Sequence, residues 1–223
     1  MREIKFNLPL EIDQSDERAV SIQNKLVLDE RISVLMKKNR VGISLKPLQK
    51  LDFPPKNLTL ADLRLNCVAH AHPECEFKWV RLIANFSKYD GIIIKDISPD
   101  EVIGEPVTIK TKYTGGFKFS VEQTPVKGEL NVGRDREIEK QIYYPEITSS
   151  GVGFSTAYWD FREGNRAKLH VDRELRLLLE YPYLTKFVSA KLTLRAEVSV
   201  KGFLEHIPLL GRKEKEFELS AYL

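Results

Sequence analysis

Residues Ala190 to Lys201 read AKLTLRAEVSVK. Leu192, Leu194, Ala196, Val198 and Val200 occupy alternate positions, with Lys191, Thr193, Arg195, Glu197, Ser199 and Lys201 between them. An extended chain sends successive side chains to opposite faces, so this pattern predicts a strand with one dry and one wet face. At helical spacing the same apolar residues would scatter around the cylinder.

The pattern recurs on both sides of this stretch. Leu63, Leu65, Cys67 and Ala69 alternate with Arg64, Asn66, Val68 and His70. CEFKWVRLIANF follows a turn near His72-Pro73-Glu74, and a short apolar run starts at Ile92. Val107, Ile109, Thr111 and Tyr113 lead to Gly115-Gly116, and Phe117, Phe119 and Val121 lead away. Paired glycines supply the positive φ angles of a tight hairpin. Further strands are expected over 137–144, 154–161 and 216–223, with PEITSSGVG as the connection between the first two. Residues 168–181 fit a strand with a bulge near Arg173, although Asp172 could also cap a helix. Ser98-Pro99-Asp100-Glu101 has the form of a short helix start.

The first 60 residues are less regular. Val20, Ile22, Leu26 and Leu28 share a parity, so a strand is expected over 19–28. DERISVLMKKN admits a strand through Ile32, Val34 and Met36, or a helix with Ile32, Leu35 and Met36 inward; the flanking strands favour the first. Pro47, Pro54 and Pro55 then break up a connecting segment. Many short strands separated by turns predict a mainly β chain, an antiparallel β-sandwich or, alternatively, a β-barrel, with at most short helices. Residues 1–223 are read as a single β-rich domain, with 1–60 as an N-terminal extension of the same sandwich.

Composition narrows the function classes. The 223 residues are 42 % hydrophobic and 30 % charged, as in a globular protein. Thirty-five Lys and Arg against 32 Asp and Glu leave a net charge of +3, too even to predict a nucleic-acid groove. The opening MREIKFNLPLEID has no apolar signal-type core, and no apolar run approaches the roughly 20 residues of a membrane helix. A cytoplasmic location is therefore expected, and Cys67 and Cys75 are expected as thiols rather than a disulfide.

Reactive residues concentrate in CVAHAHPEC, residues 67–75. His70 and His72 could offer two imidazoles to a metal, with Cys67 and Cys75 as further candidate ligands. Cys67 has the wrong parity, however, and the spacing matches no common zinc site. No metal or cofactor is expected, and no nucleophile elbow, P-loop or H-E-x-x-H pattern occurs. Among the aromatics, Trp79 is expected in the core. Tyr158 and Trp159 should point to opposite faces, which makes them the candidate partner-binding residues. Lys37-Lys38-x-Arg40, Arg134-x-Arg136 and Arg212-Lys213-x-Lys215 form three local basic clusters, to be read as ordinary solvated loops unless the fold unites them.

The leading functional expectation is a non-enzymatic accessory module that binds a protein partner or self-associates. One alternative is a metal-dependent or thiol enzyme centred on Cys67–Cys75. The other is a lipid-surface or membrane-active assembling protein, because amphipathic strands can rearrange into a barrel.

Overall fold

The computed structural model describes residues 4–16, 34, 35, 37–46, 49–51, 58–88, 91–103, 107–114, 118–124, 136–142, 145–163, 169, 172–183, 185, 187–202 and 206–218. The chain is mainly β, and two antiparallel sheets pack against each other as a sandwich.

The first sheet contains β1 (Ile4–Leu8), β3 (Arg40–Leu45), β5 (Leu58–His70), β14 (Asp172–Pro182) and β7 (Ile93–Ser98), in that order. The short β4 (Gln49–Leu51) also pairs with β5. The second sheet runs β2 (Glu11–Ile12), β16 (Ile207–Glu218), β15 (Phe187–Val200), β6 (Cys75–Asn85), β13 (Thr156–Arg162), β12 (Pro145–Ser150) and β8 (Glu101–Ile103). A third sheet of three strands has β9 (Val107–Thr114) between β10 (Lys118–Thr124) and β11 (Arg136–Ile142).

The two-residue alternation decides what the sandwich buries. In β15, Leu192, Leu194, Ala196, Val198 and Val200 are all buried, while Lys191 and Arg195 are exposed. In β5 the buried set is Ala61, Leu63, Leu65, Cys67 and Ala69. Each large aliphatic side chain removed from water in this way stabilises the fold by about 1.5–3 kcal/mol before chain entropy is counted. The connection from His70 to Cys75 carries the chain from the first sheet to the second, which seals both faces around one core.

Gly151 shows why the β12–β13 turn needs glycine. Its φ is +134°, and a Cβ there would sit 2.4 Å from the Thr156 carbonyl oxygen.

Several expectations are corrected. Residues 34, 35, 37 and 38 are helical, with Leu35 buried and Val34 exposed, the reverse of strand parity. Asn39 stabilises the end of that turn by donating from Nδ2 to the Leu35 carbonyl at 3.4 Å. Ser98–Pro99 starts no helix: the peptide is cis, and Glu101–Ile103 pairs with β12 as a strand. PEITSS is itself β12 rather than a loop. Residues 172–182 are strand, regular against β5 at Arg173; the register shift lies instead between Leu178 and Leu179, against β7. The expected strand over 19–28, the Gly115-Gly116 turn and residues 219–223 fall outside the described residues.

Candidate functional site

Two regions present an unusual arrangement of side chains or strands. The first is the solvent face of the seven-stranded sheet. In β6, Cys75 and Phe77 are buried, then Val80, Leu82 and Ala84. The parity switches because the register against β15 shifts between Glu197 and Val198. This bulge leaves Lys78 and Trp79 both half-buried and brings Trp79 out of the core, contrary to the sequence expectation.

Trp79 then joins Arg81 and its cross-strand neighbours on β13. Arg81 donates from Nε and Nη2 to the two oxygens of Asp160, at 2.7 and 2.6 Å. Trp79 Nε1 donates to Asp160 Oδ1 at 3.2 Å. The guanidinium carbon lies 4.7 Å from the Tyr158 ring centre and 5.3 Å from that of Trp79. Bidentate pairing fixes the guanidinium plane, and the rings flank it by cation–π attraction. Hydrogen bonding to Asp160 holds the Arg81 pKa above its ordinary value. Arg81 is thereby charge-paired and held in place between the two rings.

Tyr158 and Trp159 do separate to opposite faces. Tyr158 is half-buried beside Arg81, whereas Trp159 is fully buried. Its indole N–H meets no hydrogen-bond partner among the described residues. Trp159 belongs to the core and cannot anchor a partner in this fold. The exposed apolar side chains of this stretch are Val152 and Phe154 in the turn, 51 % and 71 % accessible. Their sequence signal was the glycine pair at 151 and 153, which bends the chain so that the residues between and beside the glycines project.

The Cys67–Cys75 stretch is divided by the fold. Cys67 lies inside β5, sealed in the core, and burial pushes its thiol up to about 12. Such a thiol is no nucleophile near neutral pH. Both cysteines are free, and burial raises the Cys75 thiol as well. His70 is exposed at the end of β5. His72 shapes the crossover: its N–H donates to Asn39 Oδ1 at 2.9 Å, its Nδ1 accepts from the Glu74 N–H at 3.3 Å, and its carbonyl accepts from the Cys75 N–H at 2.7 Å. No group of three or more metal-ligating side chains occurs among the described residues.

The second region is the three-stranded sheet. Among the described residues it shares no strand pairing with either sheet of the sandwich. Its register sets Phe119 and Arg136 beside Tyr113, Val121 and Ile138 beside Thr111, Gln123 and Lys140 beside Ile109, and Ile142 beside Val107. These positions share one face by backbone alternation. The other face takes Thr108, Lys110, Lys112, Thr114, Lys118, Ser120, Glu122, Thr124, Glu137, Glu139 and Gln141, without one apolar residue. By register, therefore, the sequence of the three strands sorts into a polar set and a mostly apolar set, the latter interrupted by Thr111, Gln123, Arg136 and Lys140.

No protein-family model matches the chain, and no curated protein matches it in sequence. Solved structures that resemble it include Clostridium perfringens delta-toxin, at 11 % identity and a TM-score of 0.41, covering 96 % of this chain and 88 % of that one. The Clostridium perfringens NetB toxin in its membrane-inserted form aligns at 9 % identity and 0.34, covering 97 % and 95 %. A pore forming protein aligns at 9 % and 0.39, covering 97 % and 90 %. Likeness at this level assigns no activity to the chain.

Proposed function

We propose that this protein acts at a lipid surface, where copies assemble through the three-stranded sheet of residues 107–142. The observation that supports this reading is the alternating register of a sheet that, among the described residues, is hydrogen-bonded to neither half of the sandwich. Its strand edges can be re-paired without breaking a single ladder of the sandwich core. A membrane admits strands only when every backbone group is paired, which requires closure into a barrel. One copy contributes too few strands for closure, so the reading entails assembly. Apolar positions such as Val107, Phe119 and Val121 would then meet lipid, and the Lys and Glu positions of the opposite face would line water. The eight residues of β9 fall just short of the about 9–11 that a tilted spanning strand needs, so lengthening at the strand ends is part of the proposal.

The test is release of a trapped dye from lipid vesicles. Wild-type protein is expected to release it, and Val121→Glu to lose most of that release while keeping the wild-type melting temperature. Release that is absent on every vesicle composition, or that is unchanged in Val121→Glu, would contradict the reading.

A second reading has its own observation. Phe154 and Val152 project from a hydrogen-bonded turn, and exposed aromatics anchor protein interfaces. Contact between copies or with another protein through this turn would fit the binding role expected from sequence. Loss of assembly in Phe154→Ser, with the Val121→Glu protein still assembling, would favour it.

A further inference from the structure

The N-terminal segment crosses the open side of the sandwich. β1 pairs with β3 in the first sheet, and four residues later Ile12 pairs with Leu209 of β16 in the second. The crossing presses close against β16: a Cβ at Gly211 would lie 2.9 Å from the Pro9 carbonyl oxygen and 3.1 Å from Leu10 Cδ2. Beside this strap lies a cleft of about 980 Å³, lined by residues 7–15 together with Lys37, Asn39, Arg40, Leu209, Leu210 and Arg212.

The cleft unites two basic clusters that are some 170 residues apart in sequence: Lys37 and Arg40 from one, Arg212 from the other. All three side chains are exposed, and none has an ion pair with a described residue. Two acids share the cleft. Asp13 is buried and engaged, accepting from Ser15 N and Oγ at 3.1 and 2.5 Å and lying 3.7 Å from Arg195 Nε. Glu11 is exposed on β2. The cations therefore outnumber the one acid that is not engaged. Half-buried Leu10, Ile12 and Leu210 add an apolar wall.

We infer that this cleft binds a phosphate ester whose organic part lies on the apolar wall. Two arginine forks and a lysine suit a phosphate, which accepts paired N–H donors and carries the charge the cations lack. The inference rests on the lipid-surface reading only for the source of that phosphate, a lipid headgroup as against a soluble ester.

The experiment compares wild type with Lys37→Gln/Arg40→Gln/Arg212→Gln, and with a charge-matched control, Arg162→Gln/Lys191→Gln/Lys201→Gln, placed on other exposed positions. Binding is measured to glycerol 3-phosphate by calorimetry, and to phosphatidic acid and phosphatidylcholine vesicles by sedimentation. Wild type and control should bind alike, and the cleft variant should lose on the order of a hundredfold in affinity. Loss seen only on phosphatidic acid vesicles assigns the phosphate to lipid; loss seen with glycerol 3-phosphate assigns it to a soluble ester. Equal loss in the control variant, or no binding to any of the three by wild type, overturns the inference. Val121→Glu keeps the cleft intact, so its binding without dye release would separate failure of this inference from failure of the membrane reading.

Discussion

β15 and β9 carry the same alternation and end in different situations. In β15 the apolar positions are buried at 0 to 3 % exposure, beneath an opposing sheet that supplies the rest of the core. In β9 the equivalent positions, Val107, Ile109, Thr111 and Tyr113, belong to a sheet that, among the described residues, pairs with neither half of the sandwich. Alternation in a sequence reports that a strand has two faces. It does not report what covers the apolar one. In β15 the covering comes from the same chain; for β9 the proposed covering is lipid and other copies.

That difference predicts unequal costs for the same kind of truncation. Leu194→Ala should lose about 2–5 kcal/mol of unfolding stability, because a fully buried side chain leaves a cavity. Val121→Ala should lose less than about 1 kcal/mol in the same denaturant titration, being removed from a sheet outside the sandwich ladders. Equal losses would show that the two regions share one core and would break the comparison.

A smaller effect comes from Cys67, which reports whether the sandwich stays closed. Its thiol pKa is raised by burial from 9.0 to about 12, so the folded protein retains the proton where the unfolded chain gives it up. Its contribution is fully present below pH 9 and is lost as pH rises from 9 towards 12. Stability should fall by on the order of 1 kcal/mol by pH 10, and Cys67→Ala should flatten that part of the profile. A profile equally steep in Cys67→Ala would place the alkaline sensitivity elsewhere.

Much of the sandwich was legible because its strands are strictly two-faced. The buried parity of β5 and β15 follows directly from Leu63 to Ala69 and Leu192 to Val200. Trp79 departs from the local pattern because a bulge in the pairing of β6 with β15 changes the parity, and a bulge depends on the partner strand rather than on local sequence. Val34 departs from strand parity because a short helical turn, tied off by Asn39, stands there. The basic cleft was legible only as separate clusters. Lys37, Arg40 and Arg212 line one cleft beside the N-terminal strap, a long-range arrangement that no local pattern encodes.

The central question is whether the sheet of β9, β10 and β11 meets lipid while the sandwich remains folded. The direct measurement attaches an environment-sensitive fluorophore to a single introduced cysteine, Val121→Cys or Lys110→Cys, in a Cys75→Ser background that leaves the sealed Cys67. Added vesicles should shift the position-121 probe to the blue and allow its quenching by lipid-borne nitroxide, while the position-110 probe stays aqueous and Cys67 stays unreactive. Probes that respond identically at 121 and 110, or that do not respond to vesicles at all, would contradict it.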